Sequence, residues 1–466
     1  MTEITAKSIT SLGELIRGRE ASPVEVVQAY LERIDQINPR LNAIVTLAPD
    51  VIEQARAAEA AVVRGDVLGP LHGVPLMIKD TIETKGLRTT SGSAMRADFV
   101  PERDAEAVAR LKAAGAIILG KTNTAEMAMD YTTDNPVFGR AINPHNPLVT
   151  TGGSSGGEAV AIATFMSPAG IGSDLAGSIR IPSHFCGIAG LKPTVGRVPG
   201  GGQFPPSTGP YSLGAAIGPM ARRVSDLGLL FTVLAGLPKA IDTTLAKRRA
   251  LIGQRVCWYV DDGVAPVTEE TGRAVRAATD ALAAAGLLIE NARPPGVEFG
   301  HDLWLKLFSR ASVVQLRNVY SGHEEKAGDF VRWRLATADD TPTATLDDYI
   351  SSWLERDRIR EELVRWMDDV PLIIAPVGAT PAVPLDAHKV MVGGQSVSVF
   401  RAFSYAQTFN VFDLPVVVVR AGTSADGLPI GVQIIGRPFQ EETVLTAAAI
   451  IEEAMSGTLQ VVDVWR

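Results

Sequence analysis

Over the first 65 residues, apolar positions recur at helical spacing. Ser22-Pro23-Val24-Glu25 reads as a helix start, with serine as N-cap, proline at the first helical position and glutamate closing a capping box. Val26, Val27, Tyr30, Leu31 and Ile34 continue one apolar face, and Asn38-Pro39 is expected to end the run. A second helix is expected over 51–63. From about residue 70, short apolar runs alternate with helical stretches. Strands are predicted near 74–78, 116–119, 168–173, 256–260, 372–375, 416–419 and 431–435. Helices are predicted near 104–114, 157–165, 225–235, 267–285, 345–368 and 441–455. Apolar strands separated by helices predict an α/β sheet covered on both faces. The unbroken Val416-Val417-Val418-Val419 suits a central strand. No repeat or linker interrupts the 466 residues, and a single domain is expected. The Gly/Pro-rich stretch from Gly200 to Gly209 reads as a mobile loop near a site.

Composition narrows the function. A net charge of −8 argues against nucleic acid as a partner, since phosphate binding needs a basic footprint. Two cysteines, Cys186 and Cys257, rule out a disulfide framework and fit a reducing cytoplasm. The six histidines are scattered without metal-ligand spacing, so no metal is expected. There is no signal-peptide pattern at the N-terminus and no apolar run long enough to span a membrane.

Chemistry concentrates in three fragments. In Gly152-Gly153-Ser154-Ser155-Gly156-Gly157, G-x-S-x-G occurs twice, but a loop and not a strand precedes it, so half the context of a nucleophile elbow is missing. A surface turn stays open as a reading. The glycines allow unusual backbone conformation and close approach. In Gly172-Ser173-Asp174-Leu175-Ala176-Gly177-Ser178-Ile179-Arg180, successive amides can turn into one concavity and form an anion-binding nest beside a serine. Lys79 closes the apolar run Val74-Pro75-Leu76-Met77-Ile78, and a desolvated lysine loses its proton readily enough to act as a base.

These fragments, together with His72-Gly73-Val74-Pro75, Gly120-Lys121-Thr122-Asn123 with Glu126, Gly187 through Thr194, Gly218-Pro219-Met220-Ala221-Arg222 and Gly427 through Gln433, resemble the amidase signature family of serine hydrolases. The match is strong over 70–235 and weaker over 371–455. The resemblance implies a mixed central sheet covered by helices on both faces. It divides the chain into a helical segment to about 65, a signature core of about 70–235, a variable pocket region of about 240–370, and a C-terminal sheet and helix over 371–466. It implies a Ser–cis-Ser–Lys triad, with Ser178 as nucleophile, Ser154 as the bridge after a cis Gly153 peptide, and Lys79 as base. The amides of Leu175, Ala176, Gly177 and Ser178 become oxyanion donors. Asp174, Arg180 and Ser155 become supporting residues. No cofactor is implied.

One departure stands out: Ala176 sits where many members carry glycine, and alanine resists positive φ. Met129 and Tyr131, the 200–212 loop, and apolar residues such as Trp304, Leu307, Phe308, Phe403 and Phe409 are the pocket candidates, with ordinary core as their other reading. The expected activity is cleavage of small-molecule amides, with esters and carbamates as further substrates, by a cytoplasmic chain forming a homodimer as relatives commonly do. The alternatives are the A component of a tRNA amidotransferase, a non-catalytic member of the fold and a Ser-His-Asp hydrolase.

Overall fold

In the computed structural model, residues 3–241, 243, 245–338 and 344–456 are described; the ends of the expected domain, 1–2 and 457–466, lie outside them. The strands are β1 (Ile44–Leu47), β2 (Pro75–Lys79), β3 (Ile117–Thr122), β4 (Ala169–Asp174), β5 (Ala189–Lys192), β6 (Ala216–Ala221), β7 (Arg255–Trp258), β8 (Leu288–Asn291), β9 (Leu372–Pro376), β10 (Lys389–Val392), β11 (Gln395–Ser398), β12 (Val416–Thr423) and β13 (Pro429–Gly436). All but β10 and β11 form one 11-stranded sheet, ordered β1-β3-β2-β4-β6-β5-β12-β13-β9-β7-β8. Pairing is parallel for β3-β2-β4 and β9-β7-β8, and antiparallel between β4 and β6 and through β5, β12 and β13. β10 and β11 form a separate hairpin.

Strand alternation explains the two covered faces. Val417 and Val419 of β12 pack with Ile374 of β9 and with helices Glu269–Ala284 and Glu441–Met455, through Val275, Ala278, Leu445 and Ala448. Val416 and Val418 point the other way, into a cluster with Ile373, Ala375, Phe185, Phe403 and Phe409. Both layers are apolar, so β12 carries no polar position until Arg420.

Several expectations need correction. The N-terminal segment is not wholly helical, because Ile44–Leu47 adds as an antiparallel edge strand to β3. The first long helix runs through Pro39 to Leu41 and ends at Asn42, whose φ of 49° is the left-handed stop. The 200–212 stretch is tied to the core: Glu83 N donates to Gly202 O at 2.8 Å and Phe204 N to Thr81 O at 2.9 Å. Among the described residues no helix is long and apolar enough to cross a membrane.

The expected capping box is present, with Ser22 Oγ accepting from Glu25 N at 3.1 Å and Glu25 Oε2 from Ser22 N at 2.8 Å. Ser22→Ala is expected to cost about 1 kcal/mol, read as a lowered urea midpoint; an unchanged midpoint would show that the cap contributes nothing.

Candidate active site

Lys79 closes β2 and Asp174 closes β4. The two strands are adjacent and parallel, with Met77 opposite Gly170 and Ile78 opposite Ile171, so both deliver their last residue to the same sheet edge. The Gly152–Gly157 loop meets them there and leads into the helix Gly156–Ala163. That helix can approach because Gly157 has no side chain: a Cβ would fall 2.5 Å from Asn123 N and 2.6 Å from Ala43 O.

Lys79 is completely buried. Its Nζ lies 2.6 Å from Ser154 Oγ and 3.0 Å from Ser173 Oγ, and no carboxylate pairs with it among the described residues. Burial disfavours the ammonium form and brings its pKa down to about 7, against the opposing pull of the Asp174 and Glu158 charges. Glu158 is also buried, and desolvation pushes its carboxyl up to about 8 despite the hydrogen bond from Thr122 Oγ1 at 2.8 Å. Desolvation favours a protonated Glu158, and that weakens one of the two pulls keeping a proton on Lys79. The Gly153–Ser154 peptide is cis.

Ser178 sits in the loop after β4 and is 6% exposed. Its carbonyl accepts from Ser155 N at 3.2 Å, while Ser155 Oγ reaches Ser173 O at 3.4 Å. No hydrogen bond joins the Ser154 and Ser178 hydroxyls among the described residues. The loop is shaped by Asp174, whose carboxylate accepts from Gly177 N at 2.9 Å and Ile179 N at 3.1 Å, and pairs with Arg180 Nη2 at 2.8 Å. Burial alone would raise this carboxyl, but the Arg180 charge and the hydrogen bonds from Arg180 and Asn410 hold it well below the usual carboxylate range. Arg180, completely buried, also reaches Asn410 Oδ1, Gln433 Oε1 and Ala406 O.

This geometry corrects one assignment. The Gly177 amide is taken by Asp174 and is not free for an oxyanion. The amides of Leu175, Ala176 and Ser178 have no acceptor in the chain among the described residues. The Ala176 departure has a simple outcome: positive φ falls on Gly177 (105°), not on Ala176. A Cβ on Gly177 would lie 2.8 Å from both Ala406 Cβ and Ile181 Cδ1.

The pocket candidates separate. Tyr131 stands beside the loop that carries Ser178, donating from its hydroxyl to Ala176 O at 2.8 Å and stacking on Phe400 with centroids 5.3 Å apart. Met129 packs instead against Met127, Leu316, Tyr320 and Val331. Leu307, Phe308, Phe403 and Phe409 are fully buried core, whereas Trp304 reaches the loop through Nε1, 2.9 Å from Leu175 O. Sequence reasoning gave no role to Ser173, Glu158, Gln407 or Asn410. Ser173 stands within the fragment that carries Ser178; Asn410 lies 236 positions from Asp174, and nothing local marks it. No histidine side chain among the described residues hydrogen-bonds to Ser154, Ser155 or Ser178, so the Ser-His-Asp alternative has no geometry here.

Comparison with known proteins gives a consistent picture. The Amidase family model matches residues 25–445. The chain is 30% identical to human fatty-acid amide hydrolase 2, covering 96% of this chain and 88% of that one. It is 35% identical to the A component of glutamyl-tRNA(Gln) amidotransferase from Roseiflexus sp. (strain RS-1), covering 96% of each. The solved structure of a bacterial aryl acylamidase of the amidase signature enzymes superposes with a TM-score of 0.87 at 27% identity, covering 99% of both chains.

The depressed Lys79 pKa links to stability. Between a folded value of about 7 and an unfolded value near 10.5, the unfolded chain binds the extra proton, so stability rises with pH across that window. Lys79→Met removes the titration. Wild-type stability relative to Lys79→Met should rise by roughly 2–3 kcal/mol from pH 7 to pH 9, measured by urea denaturation. A constant gap would mean that the amine is not desolvated.

Proposed function

This chain belongs to the amidase signature family, and from that premise we propose that it is a hydrolase of carboxylic amide bonds working through an acyl-enzyme on Ser178. The observation that carries the reading is the desolvated Lys79 amine, 2.6 Å from Ser154 Oγ at the mouth of a loop with unengaged amides.

Burial favours the uncharged form of Lys79, which is the form that can accept a proton. As substrate binds, Ser178 Oγ attacks the carbonyl carbon and gives its proton to Ser154, which passes its own to Lys79 Nζ. The tetrahedral oxyanion faces the amides of Leu175, Ala176 and Ser178; a donor of this kind is worth about 2.7–4 kcal/mol in the transition state. The relay then runs in reverse. Lys79 returns the proton through Ser154 to the departing nitrogen, which leaves as a neutral amine. Water, deprotonated along the same path, splits the acyl-enzyme and restores Ser178.

Tyr131 and Trp304 bond to the loop that carries Ser178, and the half-buried Phe400 packs on both of their rings. Such a lining favours aryl or alkyl amides over charged ones, with anilides, esters and carbamates as related substrates. This supports a stand-alone hydrolase of small-molecule C–N bonds outside peptides, in keeping with the names of the fatty-acid and aryl amide relatives. The A component of a tRNA amidotransferase is the second reading, favoured by the 35% identity to a protein of that name. The purified chain alone turning over anilides supports the first; activity only on glutamine or asparagine with a partner protein supports the second.

A fluorophosphonate probe is expected to label wild type but not Ser178→Ala; labelling retained in the variant would overturn the nucleophile. Lys79→Ala should lower anilide turnover by roughly 10²–10⁴-fold and matched ester turnover by less, because an alkoxide leaves without needing a proton. Equal losses would contradict the relay.

A further inference from the structure

The nucleophile loop is held by its carbonyls. Asp174 O accepts from Asn410 Nδ2 at 3.2 Å, Leu175 O from Trp304 Nε1 at 2.9 Å and Ala176 O from the Tyr131 hydroxyl at 2.8 Å. Gly177 O accepts from Ile181 N at 2.7 Å and Ser178 O from Ser155 N at 3.2 Å. Five successive carbonyls are therefore fixed. In a trans peptide the C=O and the following N–H point in opposite directions. The 175–176 peptide is trans, so the donor holding Leu175 O also sets where Ala176 N–H is aimed.

That donor is Trp304. It is the last residue of the helix Gly300–Trp304, and the wide π-turn Leu305–Ser309 begins immediately after it, an irregularity often found at functional sites. Its ring packs on Phe400 with centroids 5.1 Å apart and on Phe308 at 6.3 Å. One face of the indole thus belongs to the aromatic wall and its N–H to the oxyanion loop.

We propose that Trp304 is a positioning residue for the oxyanion hole, its indole N–H fixing the Leu175 carbonyl so that the Ala176 amide points at the developing oxyanion. The inference rests on the hydrolase reading above. Tyr131 has a different consequence: it fixes the carbonyl of the 176–177 peptide, whose N–H goes to Asp174 and not to substrate.

The test replaces Trp304 by Phe, which deletes the N–H and keeps an aromatic ring. A second variant places benzothienylalanine at 304, the indole shape with sulfur for N–H, and serves if Trp304→Phe folds poorly. Phe308→Leu is the packing control, since it loosens the same cluster and leaves the N–H in place. Each is assayed on an anilide and a matched ester, and for inhibition by a trifluoromethyl ketone, whose adduct carries an oxyanion.

Loss of the N–H should lower kcat roughly tenfold on both substrates, a part of the 10²–10³ that deleting a whole donor costs, with KM within about twofold. Affinity for the ketone should fall in parallel, and Phe308→Leu should change neither ratio. Unchanged kcat in the benzothienyl variant, or an equal loss in Phe308→Leu, would overturn the role. A wild type that neither turns over amides and esters nor takes the probe on Ser178 would overturn the hydrolase reading itself, and this inference with it.

Discussion

An amine sealed from water with only hydroxyls for company is the constraint on which this site depends. Lys79 is fully buried, and its hydrogen-bond partners are Ser154 and Ser173. A carboxylate in their place would hold the proton on nitrogen and end its use as a base. Two anions lie within electrostatic reach and are kept from that role differently. Burial favours the protonated form of Glu158. Asp174 is ionised, but its charge is spent on Arg180 and on the loop amides.

That second arrangement shapes the rest of the centre. A buried carboxylate survives only when its lone pairs are filled and its charge is balanced. Asp174 meets both conditions by folding the following residues around itself, which turns Gly177 and Ile179 inward. Arg180 is in turn fixed by Gln433 of β13 and by Asn410 and Ala406 of the helix Ser404–Val411. The ion pair thus joins the signature core to the C-terminal part of the sheet. The amides left over, those of Leu175, Ala176 and Ser178, have no acceptor among the described residues.

Much of this was legible in the sequence. The capping box at Ser22, the all-valine start of strand β12 and the helix after the serine loop follow from local chemistry. The three fragments that meet at the sheet edge were identifiable by their glycines, serines and lysine. Two of the unforeseen strands have weak local signals. Ala189–Lys192 is mostly small or polar, and Ala216–Ala221 contains Gly218 and Pro219. Both become strands because neighbours pair with them, and Pro219 is tolerated where β5 reaches only Met220 and Ala221. The oxyanion set could not be trimmed from sequence either, since the choice of Asp174 for the Gly177 amide is a matter of loop geometry. Trp304 and Asn410 carry no local mark; their meaning comes from contacts across more than 120 positions.

The central claim is that the working base is a neutral lysine at ordinary pH. Its most direct test is the pH dependence of kcat/KM for an uncharged anilide, which reports the free enzyme. The rate should rise with pH through an inflection near 7 and stay level above it, because deprotonating Lys79 switches the relay on. A profile that is flat from pH 5 to 9, or one still climbing toward the ordinary lysine range near 10.5, would contradict it.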